Sequence, residues 1–110
     1  MNALTKPQFE LLLSSELSAI TAEQARAFIQ STLIAPYCTL LTWEYGNGEQ
    51  FPAWVFANFK ERNVGAAHCL GGHGALGSPW GLVFLHDNYF GQDSGWYPSL
   101  AALANEWVAV

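Results

Sequence analysis

Residues 78–100 read SPWGLVFLHDNYFGQDSGWYPSL, and the reading of this stretch decides the fold. Trp80 to Leu85 is an almost unbroken apolar run, the pattern of a strand covered on both faces. His86 to Gly95 then carries the only two Asp residues of the chain, Asp87 and Asp93. Asn88, Gln92 and Ser94 accompany them, interleaved with Tyr89, Phe90 and Trp96. Loops of this length are usually functional or disordered, and this one is too aromatic for disorder. Ser99 is a good N-cap, and Leu100, Leu103, Ala104, Trp107 and Val108 follow at helical spacing. The stretch is therefore a strand, a long polar-aromatic loop and the start of a helix.

Upstream, Val64 to Leu70 reads as a third strand whose side chains are small at Gly65, Ala66 and Ala67. The connection from Gly71 to Pro79 is rich in glycine. It lacks the Lys-Ser/Thr ending of a phosphate loop and opens no helix, so it reads as a plain inter-strand connection. Tyr37 to Tyr45 and Gln50 to Asn58 are rich in β-branched and aromatic residues, and Asn47-Gly48 between them is a strong hairpin signal. A two-residue turn there places Trp43 opposite Pro52, Leu41 opposite Trp54 and Thr39 opposite Phe56. A four-residue turn at residues 60–63 likewise sets Ala67 beside Phe56 and Cys69 beside Trp54. Pro52 points to an edge strand or to a position whose N–H faces outward. Both faces of this hairpin are substantially apolar. Helices cover one, and the other needs a second cover. That need predicts a homodimer through Trp43, Trp54 and Phe56.

The N-terminal third reads as two helices. Thr5 with Gln8 is a capping-box pattern, and Phe9, Leu12, Leu13 and Leu17 form one stripe. Thr21 with Gln24 repeats the pattern ahead of Ala25, Phe28, Ile29 and Leu33, and Pro36 stops the helix near Leu33 or Ile34. The expected fold is α+β: an N-terminal αα-hairpin, a four-stranded antiparallel meander and a C-terminal helix packed on the sheet. Residues 1–110 form a single domain with one core.

Only 12% of the residues are charged, so the chain either buries much of its apolar surface or hands some of it to a partner. No apolar run reaches the roughly 20 residues of a membrane span. The first residues show no export signal, which predicts a cytoplasmic protein with Cys38 and Cys69 as reduced thiols. The net charge is −5, and all four basic residues lie before position 63. A surface without Lys or Arg does not bind nucleic acid, whereas an acidic one steers in basic proteins.

Chemistry-bearing residues are few. His68, Cys69, His73, His86 and Cys38 are the soft metal ligands, but the adjacent His68 and Cys69 point to opposite faces of a strand, a poor start for zinc. A Cys–His nucleophile pair has no local signature. Glu44, Asp87 and Asp93 are the carboxylates open to acid–base work, although a domain this small rarely makes the cleft it needs. Asp87, Asn88 and Ser94 otherwise tie down their own loop as Asx-type turns. No cofactor or metal is called for.

The segments Trp43-Glu-Tyr-Gly46, Ser78-Pro-Trp-Gly-Leu-Val83 and Asp93-Ser-Gly-Trp-Tyr-Pro-Ser-Leu100 lie in a small, acidic, Trp-rich chain. In style, over its last 70 or so residues, the chain resembles the immunity proteins of bacterial polymorphic toxin systems. The resemblance implies a non-enzymatic protein that binds and neutralises one cognate protein toxin. It carries over no family residue. The loop itself nominates Asp87 and Asp93 to face a basic partner, with Tyr89, Trp96 and Tyr97 supplying apolar contact. The alternative is a small enzyme or ligand-binding domain that uses the same loop.

Overall fold

A computed structural model describes residues 3–59, 63–91 and 93–108, and of Asp93, Trp107 and Val108 the backbone. The elements run α1 (Lys6–Ser18), α2 (Glu23–Thr32), β1 (Leu33–Thr42), β2 (Gln50–Asn58), β3 (Val64–Cys69), β4 (Trp80–Phe84), β5 (Trp96–Tyr97) and α3 (Leu100–Val108). Short 3-10 turns cover Gly72–Leu76 and Asp93–Gly95. The architecture is α+β, with an antiparallel meander of order β1-β2-β3-β4-β5. The expected four strands become five because the long loop returns to pair Trp96 with Gly81 and Tyr97 with Trp80. Two residues are too short a strand for any periodicity to announce.

The capping box at α1 is formed. Gln8 N donates to Thr5 Oγ1 at 3.3 Å, and Thr5 N donates to Gln8 Oε1 at 2.9 Å. The second expected box is not: α2 starts one residue later, with Ala22 at the N-cap and no side-chain cap. Ser99 caps α3, accepting from Ala102 N at 3.1 Å. Glu16 reaches across from α1 and accepts from Leu100 N at 3.0 Å, an acid placed where the helix dipole favours it. α3 packs chiefly on α2, and also on α1, β4 and β5, rather than on the sheet alone.

The helices and one sheet face enclose a first core built on rings. Trp54, His68, Trp80 and Tyr97 occupy one cross-strand row of β2 to β5. Phe9 of α1, wholly buried, lies on that row, stacked on Trp54 at 5.7 Å and tilted against Phe56, His68 and Trp80 at 5.7, 5.8 and 6.3 Å.

Both expected registers need correction. β1 and β2 pair as Leu41 with Phe51, Leu40 with Pro52, Thr39 with Ala53 and Cys38 with Trp54. That is a slip of three residues, an odd number, so it exchanges which side chains share a face. The cause is the turn. Gly48 has φ +80°, but Asn47 does not have the positive φ that a type I′ turn requires, and the loop widens to span Trp43 to Glu49. Nor is β2 an edge. Pro52 is tolerated because it lies one residue beyond the last β2–β3 pair, Ala53 with Cys69. Between β2 and β3 the expected register holds at Ala57 and Asn58 and shifts by one past a bulge at Phe56. The bulge lets Phe56 and Ala57 both join the helix-side core.

Cys38 and Cys69 sit opposite adjacent residues of β2, Trp54 and Ala53, so they face opposite sides of the sheet and both are free. Burial pushes the Cys69 thiol up to about 11, while Cys38 is exposed. A thiol reagent at pH 8 should therefore label one cysteine per native chain, Cys38, and two after unfolding without reductant. Fewer than two in the unfolded chain would mean a disulfide and a wrong sheet.

Candidate functional site

The second sheet face is covered by the long loop itself. The chain turns at Leu85–His86, where Leu85 N donates to Asn63 O at 3.0 Å and the Asn63 amide meets His86 Nδ1. Asp87 Oδ1 accepts from Tyr89 N at 3.1 Å, an Asx-type turn. Thr42 N then donates to Asn88 O at 2.6 Å, and Tyr89 bridges Thr42. The loop thus runs from β4 to β1 across the face.

On the way it lays down two rings. Phe90 is buried, edge-on to Trp43 at 5.2 Å and 5.1 Å from Trp96. Trp96 is only 6% exposed and donates from Nε1 to Phe90 O at 2.8 Å. Its ring lies on Gly81, where any Cβ would collide with it. His73 completes the packing, edge-on to Trp43 at 4.8 Å and stacked on Trp96 at 5.7 Å. These rings close a second core, where one was expected, over Leu41, Ala53, Val55, Ala67, Cys69 and Val83.

This covering changes the roles expected of several residues. Trp96 is core, so it offers a partner no contact. Tyr97 is half-buried against the helix-side core, where burial, aided by the charge of Glu106, raises its phenol. Phe56 is wholly buried. Trp54 is half-buried on Phe9 and donates to Leu4 O at 2.8 Å. Trp43 belongs to the opposite face. The three rings expected to form a dimer contact therefore share no surface. The Asp93 side chain, and Lys60 and Arg62 with their charged turn, lie outside the described residues.

Asp87 and Tyr89 are the expected contacts that do reach the surface. They line an open groove of about 490 Å³ with Glu44, Phe84 and Gly91. Tyr89 is 49% exposed and Phe84 37% exposed. Glu44 comes from the β1–β2 loop, so the fold gathers two distant carboxylates around two exposed rings. No Lys or Arg lines the groove among the described residues. Glu44 and Phe84 escaped sequence reasoning as contacts. Phe84 lies within an apolar run that looks uniformly buried, and Glu44 lies 43 positions before Asp87.

His68 and Cys69 face opposite ways, as expected, His68 among rings and Cys69 in the second core. Burial lowers the His68 imidazole to about 4. Among the described residues no three His, Cys, Asp or Glu side chains are grouped to hold a metal ion, and no helix is long and apolar enough to cross a membrane. No family model, curated protein or solved structure matches the chain.

Proposed function

We propose that this protein is a non-enzymatic binding module of the immunity type, acting in the cytoplasm, and that the groove of Glu44, Phe84, Asp87 and Tyr89 receives a basic surface of a cognate protein toxin. The observation that carries the reading is one groove lined by two exposed rings and two carboxylates. Rings of this kind anchor protein interfaces, and their faces attract Arg and Lys. The net charge of −5 speeds the encounter with a basic protein. Asp87 and Tyr89 keep the roles first given to them, with Phe84 in place of Trp96 as apolar contact.

The reading expects a large secreted toxin gene directly upstream of this protein's gene, and the test takes the toxin domain from it. Expressed alone it should stop growth, and co-expression of this protein should restore it. Glu44→Gln with Asp87→Asn should weaken the complex by about 1–3 kcal/mol, mainly through slower association. Asn retains the oxygen that accepts from Tyr89 N, so the fold should be unchanged by circular dichroism. Unaltered affinity in the folded double variant would remove the groove from the interface. Failure of the wild-type protein to bind or protect would remove the immunity reading itself.

A further inference from the structure

We propose that the free edge of β1 pairs with the same edge of a second copy, antiparallel about a twofold axis at Thr39, to join two sheets into one. Trp43 N donates toward β2, to Glu49 O at 2.7 Å, while Thr42 N donates the other way, to Asn88 O at 2.6 Å. Backbone groups alternate along a strand, so Cys38 and Leu40 direct their N–H and C=O outward like Thr42. Among the described residues no strand pairs with that side beyond the single Thr42–Tyr89 bridge.

The free edge has definite ends. Pro36 has no N–H to give, and the N–H of Thr42 is already used. Between Pro36 and Thr42, two donors and two acceptors remain per chain, on Cys38 and Leu40. One twofold register uses these four groups: Cys38 opposite Leu40 of the second copy, and Leu40 opposite its Cys38. Thr39 then faces Thr39 of the second copy, a favourable cross-strand pair.

The chemistry selects a second copy over the basic partner of the groove. β1 reads LIAPYCTLLT and holds no charge, so it offers nothing acidic to a basic protein. It also lacks the Lys or Glu that usually guards an edge, so the paired strands themselves bring no like charges together. Leu33, Tyr37 and Leu40 are 37%, 46% and 49% exposed along the strand, ready to be covered. A mainly apolar groove of about 280 Å³, lined by Leu13, Leu17, Leu33, Ile34 and Pro36 together with Glu10 and Ser14, opens beside the same edge.

Sedimentation equilibrium of the full chain should show a dimer that dissociates on dilution. Thr39→Lys, which sets like charges face to face on the axis, should leave a folded monomer. In a Cys38→Ser background, Thr39→Cys should give a covalent dimer under oxidised glutathione, because paired non-hydrogen-bonded positions lie about 4.5 Å apart at Cα. A wild-type monomer at every soluble concentration overturns the proposal and leaves the edge to some other strand. A dimer that survives Thr39→Lys overturns it too. Should Thr39→Lys fail to fold, absence of the covalent dimer is decisive in the same sense.

Discussion

Phe9→Ala is expected to remove about 3–5 kcal/mol of stability, the usual cost of emptying a buried Phe site. Phe9 is wholly buried and is the one ring of α1 that touches Trp54, Phe56, His68 and Trp80 together. Deleting it opens a void between helix and sheet that stiff aromatic neighbours cannot close. Domains of this size hold roughly 5–15 kcal/mol in all, so the variant should be near the edge of folding. Leu11 lies two residues away on the same helix and is 74% exposed. Leu11→Ala should change stability by no more than about 0.5 kcal/mol. Urea unfolding of the two variants checks the pair. A Phe9→Ala loss no larger than that of Leu11→Ala would mean that α1 does not dock through this ring.

Acid should destabilise the protein through His68. The side chain is 4% exposed, beneath Phe9 and against Trp80 at 4.6 Å, and burial lowers its pKa from 6.5 to about 4. The unfolded chain takes up this proton near pH 6.5, the folded chain only near 4. Between those values the unfolded state holds the extra proton, so each step toward acid favours unfolding. The contribution of a neutral His68 is complete above about pH 6.5, falls through the window and levels off below 4. The whole effect is about 3 kcal/mol, at 1.36 kcal/mol per pH unit. His68→Leu, close in volume and unable to titrate, should flatten that part of the profile. The readout is the difference in unfolding free energy between pH 7.5 and 4.5, wild type against variant. If both lose the same stability, the acid sensitivity resides in other groups, and His68 is more accessible to protons than its burial indicates.

The two expectations draw on different levels of the molecule. The stripe of Phe9, Leu13 and Leu17 is readable from spacing alone, and it led to the right helix with the right cap. That Phe9 would meet an imidazole is not readable, because nothing local links position 9 to position 68. The same holds for the groove. Asp87 and Tyr89 stood out because their loop is long and mixes acids with rings. Trp96 stood out for the same reason and is core, because only the path of the loop over Gly81 decides which rings turn inward.

Sequence by itself determined the order and kind of the main elements, the caps at Thr5 and Ser99, the opposed directions of His68 and Cys69, and the acidic stretch from Asn63 to Val110 that holds no Lys or Arg. These follow from short-range rules: period, capping geometry, the alternation of strand side chains and simple charge. Tertiary structure alone decided the strand registers, the fifth strand, the cover of the second sheet face and the meeting of Glu44 with Asp87. Each depends on where a segment lands on a surface built by residues far away in the chain. A wide turn at Trp43–Glu49 and a bulge at Phe56 change which side chains share a face without changing the apolar pattern. The pattern records that a residue will be buried; only the packed chain determines against what.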